Sequence, residues 1–158
     1  MIELPQNISR TNPNGLQIRS ARHEDFPAVF SVLSQMHKEA SLDEDSSETA
    51  FCEILESPSR VILVAVESGT VVATLDLFIM ANMTRGGRPW AGIENLVVDA
   101  EHRRAGIGKA LMEVAVDLAR EQGCYKLQLV SHQRRNVAHD LYRQIGFDAP
   151  VHGYRRYL

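Results

Sequence analysis

The sequence is poor in the residues that mark specialised classes. Its 158 residues hold two cysteines, Cys52 and Cys124, which stand too far apart for a CxxC pair and too few for a disulfide ladder. Both read as buried thiols of a reducing compartment. No apolar run approaches the ~20 residues of a membrane helix, and Met1 to Pro13 lacks the basic and apolar regions of a signal peptide. The cytoplasm is therefore the expected location, with no membrane partner. A formal net charge of −3 with both signs interspersed provides no basic field for nucleic acid and leaves only local arginine clusters for a small anion. Histidines and carboxylates show no ligand spacing, so no metal is expected. Repeats and low-complexity tracts are absent too.

What is present is a chain long enough to bury the core of one domain, organised around Trp90 to Gln122. Ile93 to Val98 is apolar and β-branched except for Glu94 and Asn95, which predicts a central strand with two polar residues at unusual depth. After a charged turn from Asp99 to Arg104, Ile107, Leu111, Val114, Ala115 and Leu118 recur at helical spacing until Gly123. Between strand and helix stands Arg103-Arg104-Ala105-Gly106-Ile107-Gly108-Lys109. Glycines let a ligand approach the backbone, and a helix N-terminus adds partial positive charge, so this turn suits a pyrophosphate. It is neither GxxxxGK[ST] nor GxGxxG, because Lys109, Ala110 and Leu111 follow Gly108.

Elsewhere, Met1 to Gly15 reads as a loose arm before a domain spanning 16–158. Leu16 to Arg19 predicts a first strand, and Pro27 with Phe26, Val29, Phe30, Leu33 and Met36 predicts a helix from about Glu24 to Lys38. Leu42 to Glu48 is acidic and broken; Ser46 or Ser47 would cap a second helix carrying Phe51, Ile54 and Leu55, ended by Pro58. Val61 to Val66 and Val71 to Met80 flank a hairpin signal at Glu67-Ser68-Gly69-Thr70. Ala81 to Pro89 is expected as a mobile loop bearing Arg85 and Arg88. Tyr125 to Val130 predicts a fifth strand, Val137, Leu141 and Ile145 a helix closed by Gly146, and Phe147 to Leu158 the last hairpin strands.

Arg103-x-x-Gly106-x-Gly108 resembles the [QR]-x-x-G-x-[GA] acetyl-CoA signature of the GNAT superfamily of N-acetyltransferases. Asn136 to Phe147 resembles the same family's N-x-x-A-x-x-[LF]-Y-x-x-x-G-F segment, in the right order. The I-E-x-[ILV]-x-V pattern at Ile93 to Val98 is similar to small-amine members such as glucosamine-phosphate and aminoalkylphosphonate acetyltransferases. The resemblance covers about residues 16–158. It implies an α/β fold whose mixed, mostly antiparallel sheet splays between the fourth and fifth strands to admit acetyl-CoA, the expected acetyl donor. Leu96, Val97 and Val98 would pair with the pantetheine arm, an N–H at Leu96 or Val97 would face the thioester oxygen, Arg104 to Lys109 would take the pyrophosphate, and Asn136 the pantetheine amides.

Acetyl transfer to an amine needs a neutral nucleophile, a stabilised oxyanion and a proton for the leaving thiolate. Glu94 is the candidate base, directly or through water, since an ammonium must lose a proton before attack. Tyr142 is the candidate acid and the expected contact of the CoA sulfur. His132 and His139 lack a nucleophile to serve, and Asp76 is expected to face solvent. Arg85, Arg88, Arg155 and Arg156 would favour an acceptor bearing phosphate, phosphonate or carboxylate. The expected activity is N-acetylation of a small primary amine. Acetylation of a protein N-terminus or lysine, and a silent acyl-CoA sensor, are the alternatives. A final strand at the chain end suggests a homodimer.

Overall fold

Alternation and β-branching between residues 60 and 98 build the centre of the protein. The computed structural model describes residues 2–36 and 42–158, in which six strands lie in the order β1-β2-β3-β4-β5-β6. They are β1 (Ser9–Thr11), β2 (Gln17–Ser20), β3 (Arg60–Glu67), β4 (Thr70–Met80), β5 (Trp90–Val98) and β6 (Leu127–Leu129). All neighbours are antiparallel except β5 and β6. A parallel pair needs a crossover, which helix α3 (Ile107–Glu121) supplies. The β3–β4 hairpin turns at Ser68 and Gly69, with φ of 50° and 81°, the left-handed pair that matches strand twist.

Period-2 alternation divides β3 and β4 between two cores. Val61, Leu63, Ala65, Leu75, Leu77 and Ile79 pack against Leu111, Met112, Ala115 and Leu118 of α3, residues at helical spacing on one stripe. Ile62, Val64 and Val66 face the other way, against Phe26 and Val29 of α1 (Phe26–Ser34) and Phe51 of α2 (Glu44–Leu55). The Phe26 and Phe51 rings stand 5.5 Å apart, so aromatic contact joins the two helices.

Several expectations need correcting. The loose arm is ordered: Leu4 is 1% exposed, Ile8 is buried, and β1 pairs with β2. A three-residue strand is too short to show periodicity, so the chain signalled only its Pro and Asn residues. The first helix starts at Phe26 after a 3-10 turn at His23–Asp25, while residues 37–41, Lys38 among them, lie outside the described residues. Helix α2 begins at Glu44, within the stretch expected to be broken. Asp43, rather than Ser46 or Ser47, caps it by accepting from the Ser46 N–H at 2.9 Å, and Glu44 and Asp45 sit where the helix dipole favours negative charge. The fifth strand is only Leu127–Leu129. Among the described residues, 147–158 form no strand and are largely exposed. Pro150 removes a ladder donor there, and the homodimer expectation loses the strand on which it rested.

Asp25 anchors the start of α1. Arg19 donates to its two oxygens at 2.6 and 2.8 Å and the Arg22 N–H donates at 2.7 Å. Burial pushes the carboxyl up, yet the Arg19 bonds and the Arg22 N–H outweigh it and leave it below its ordinary value. Asp25→Ala should cost about 3 kcal/mol or more, since it strands a mostly buried guanidinium. Because the folded-state carboxyl is depressed, the wild-type advantage is full above pH ~4 and fades below it; urea unfolding of both proteins at pH 7 and pH 3 measures both effects.

Candidate functional site

A strand that loses its partner is the main irregularity of the sheet. β6 pairs with β5 only at Ala91↔Leu127, Gly92↔Gln128 and Ile93↔Leu129. Among the described residues, nothing continues the ladder along Glu94 to Val98 on that side, so one backbone edge of β5 is open. On its other side β5 carries a bulge: β4 pairs Thr74 with Val97 and Asp76 with Glu94, which sets Asn95 and Leu96 against Leu75 alone. Asn95 takes φ of 54°, a left-handed conformation that asparagine tolerates better than most residues. The sheet thus splays after Ile93, between the fourth and fifth expected strands.

The glycine-bearing turn lies just beyond that edge. Arg104 and Gly106 have φ of 63° and 78°, Gly106 is the N-cap of α3, and no side chain caps the helix. Its first amides are therefore free for an anion. Gly106 has nothing within 4 Å of where a Cβ would stand, leaving room for a ligand. Gly108 is different. It is buried, and a Cβ there would meet Val98 and Leu141 at 3.4 Å, so its Cα packs against β5 and α4 (Asn136–Gln144). Arg103 donates from Nε to the Val98 carbonyl at 3.0 Å, which pins the turn to the end of β5. Arg104, Ala105 and Lys109 are exposed, while Ile107 is in the core.

A clasp absent from the sequence reading fixes the turn on its other side. Gln35, just after α1, donates to Asp99 Oδ2 at 2.7 Å and accepts from the Ala100 N–H at 2.9 Å. His102 Nδ1 meets Asp99 Oδ1 at 2.8 Å, and Nε2 lies 3.7 Å from Glu67. Bonds from Gln35, then His102, bring the Asp99 carboxyl down to about 2, and Asp99 in turn raises the His102 imidazole.

Asn136 and Tyr142 of the second signature fall on α4. Asn136 is its exposed first residue, and Tyr142 is half-buried, its ring centroid 6.2 Å from that of Phe147. Burial raises the Tyr142 phenol, and Arg135 offsets part of that. Glu94 is exposed, contrary to the depth expected of it; it alternates with Ile93 onto the other face of the sheet and pairs in register with Asp76 before the bulge. Asp76, expected in solvent, is 2% exposed and ion-paired with Arg60. Neither fact was legible, because Arg60 and Asp76 meet only through the β3–β4 register. Gly92, by contrast, was a missed signal: a Cβ there would stand 2.1 Å from the Phe78 ring, which crosses the strand and meets Trp90 edge-on at 5.8 Å.

The expected mobile loop is tied down. Asn82 donates to Thr84 and to the Arg88 carbonyl, Arg88 donates to the carbonyls of Gly123 and Cys124 at 3.1 Å, and Arg85 lies over the Tyr125 ring. Both cations are thus occupied at the β6 end of α3. A surface hollow of about 680 Å³ between Glu3–Gln6 and Glu56–Pro58 contains none of the candidate residues. Among the described residues no group of His, Cys, Asp and Glu could hold a metal, and no helix is long and apolar enough to cross a membrane.

Comparison with known proteins matches the model of the acetyltransferase (GNAT) family to residues 18–147. A glucosamine 6-phosphate N-acetyltransferase of Trypanosoma brucei brucei is 39% identical over 82 residues, covering 52% of this chain and 54% of that protein. An aminoalkylphosphonate N-acetyltransferase of Salmonella typhimurium is 27% identical over 132 residues, covering 83% and 84%. Among solved structures, the glucosamine-6-phosphate N-acetyltransferase of Arabidopsis thaliana superimposes with a TM-score of 0.77 at 26% identity, covering 90% of this chain and 97% of that one.

The clasp predicts a pH dependence. The raised His102 contributes stability that is full below its unfolded value of ~6.5 and is lost as pH rises through its folded value. Thermal midpoints should therefore fall from pH 6 to pH 8.5 in the wild type by more than in His102→Gln; parallel curves would show that His102 does not couple to Asp99.

Proposed function

The chain belongs to the acetyltransferase (GNAT) family, and from that membership we propose that it moves an acetyl group from acetyl-CoA to the primary amine of a small molecule, by direct attack in a ternary complex. The observation that carries this reading is the open edge of β5 running into the uncapped start of α3. An extended chain of amides ending in a pyrophosphate fits that pair of features. Leu96 to Val98 can bond the amides as a further strand would, and the amides from Arg104 to Lys109 meet the phosphates. Asn136 stands at the start of α4 to reach the pantetheine from across the splay. The names of the relatives add support, since they denote acetylation of a phosphorylated amino sugar and of aminoalkylphosphonates.

Acetyl-CoA would supply the activated acyl thioester; the protein's part is placement and proton handling. Glu94 lies on the exposed side of the bulge, able to take the ammonium proton directly or through water, and solvent access lets that proton leave. An N–H at Leu96 or Val97 is available to the thioester oxygen. Tyr142 keeps its proton across the neutral range, and burial strengthens that hold, so it is matched to a thiolate of similar basicity.

Three variants test the assignment in a screen that follows thiol release from acetyl-CoA with small amines. Gly106→Val forces a β-branched residue into a left-handed position, which costs about 1–2 kcal/mol, and should weaken acetyl-CoA binding by about tenfold or more with the fold retained. Glu94→Gln should lower turnover about a hundredfold with acetyl-CoA affinity unchanged, the size of a general-base contribution. Tyr142→Phe should lower turnover by about tenfold to a thousandfold with stability nearly unchanged. No thiol release with any amine would refute the activity, and a fully active Tyr142→Phe with a poor amine would leave the acid role to water.

A further inference from the structure

Residues paired directly across two strands project to the same face of a sheet. Asp76 pairs with Glu94, so two carboxylates stand side by side, with Cβ atoms ~5 Å apart. Like charges so placed repel, and burying one of them adds a desolvation cost. Arg60 relieves only part of this. Its Nη2 donates to Asp76 Oδ2, whereas Asp76 Oδ1 and Arg60 Nε are buried without partners among the described residues. Two carboxylates and one guanidinium leave the trio at a net −1. Among the described residues, helix α1 (Phe26–Ser34), which packs on β4, carries no charged side chain, and Arg155 acts on Glu94 only at longer range. The base role explains why a carboxylate is needed at Glu94. It does not explain a second, more costly one beside it.

We propose that Asp76, aimed by Arg60, is a positioning residue for the ammonium group of the acceptor, drawing the cation to the Glu94 side of the sheet. The proposal rests on the N-acetyltransferase reading of Glu94. The amine arrives protonated because the paired negative charges favour that form, and the N–H proton passes to the Glu94 carboxylate, directly or through water, leaving a neutral amine. Nitrogen then bonds the acyl carbon as the carbon–sulfur bond breaks; the departing thiolate takes the Tyr142 proton, the second proton shed by the acylated nitrogen returns through water to the Tyr142 phenolate, and Glu94 releases the first proton to solvent. Asp76 acts through its charge, which the surrounding apolar side chains screen far less than water would. Next to it, Phe78 over Gly92 with Trp90 edge-on forms an apolar wall suited to the acceptor's carbon skeleton. The site therefore selects a cationic amine over the hydroxyl compound of the same shape.

Titrating the CoA-saturated protein with glucosamine 6-phosphate and with glucose 6-phosphate, which differ only in ammonium against hydroxyl, reads this preference without turnover. The wild type should favour the amine by about tenfold or more, the effect of one surviving charge contact. Asp76→Asn should bring the two ligands to similar affinity while CoA affinity stays unchanged. In Arg60→Gln, Asp76 loses the guanidinium that favours its ionised form, so the preference should fall away at a higher pH than in the wild type. That variant decides the matter if Asp76→Asn does not fold. A preference that survives Asp76→Asn, that is already missing from the wild type, or that shows the same pH dependence in Arg60→Gln overturns the inference. Failure of the acetyltransferase reading itself would appear separately, as absent thiol release with every amine.

Discussion

An unpaired backbone edge in the middle of a sheet is costly, and the rest of this structure depends on where β5 loses its partner. Unmet amides and carbonyls are tolerated at edges, at bulges and where a ligand completes them. Here the parallel ladder stops at Ile93↔Leu129, and the bulge at Asn95 alters the strand's course just where pairing ends. Had β6 continued beyond Leu129, the groove would be filled and the start of α3 would face a closed sheet. The crossover helix keeps β5 and β6 together at one end through Leu111, Ala115 and Leu118, while the turn at the other end is pinned by Arg103 and by the Gln35–Asp99 clasp.

The splay gives the two faces opposite electrostatic character. Next to the α3 face, free amides and a helix N-terminus present positive potential. On the α1 and α2 face, the register of β4 and β5 brings Asp76 and Glu94 together, with Arg60 beside them. On the proposed function, an anionic donor and a cationic acceptor would be steered to opposite sides of one strand, with Glu94 to Val98 the segment they share. Gln35 links these regions mechanically, since it follows α1 and holds the turn that precedes α3.

The parts legible in the sequence were those coded locally. The hairpin at Ser68-Gly69, the stripe of α3 and the glycine-bearing turn each follow from spacings within a few residues. Glu94 and Asn95 stood out as polar residues in an apolar strand, yet their exposure was hidden because a bulge depends on the partner strand. Asp76 was misread for the same reason: its burial comes from Arg60 and the neighbouring strand, sixteen positions back in the chain. Gly108 also packs between Val98 and Leu141, contacts that its place in the turn did not announce. The short strand β1 offered no period to read, and its place is set by Leu4 and Ile8 entering the core.

Amide hydrogen exchange with and without acetyl-CoA tests the central claim most directly, because the open edge of β5 is a statement about particular N–H groups. The account predicts slowed exchange confined chiefly to Leu96 and Val98, whose amides alternate away from β4, and to Arg104 through Lys109, with β1 to β3 unchanged. A saturated complex in which Leu96 and Val98 exchange as fast as in the free protein would contradict it.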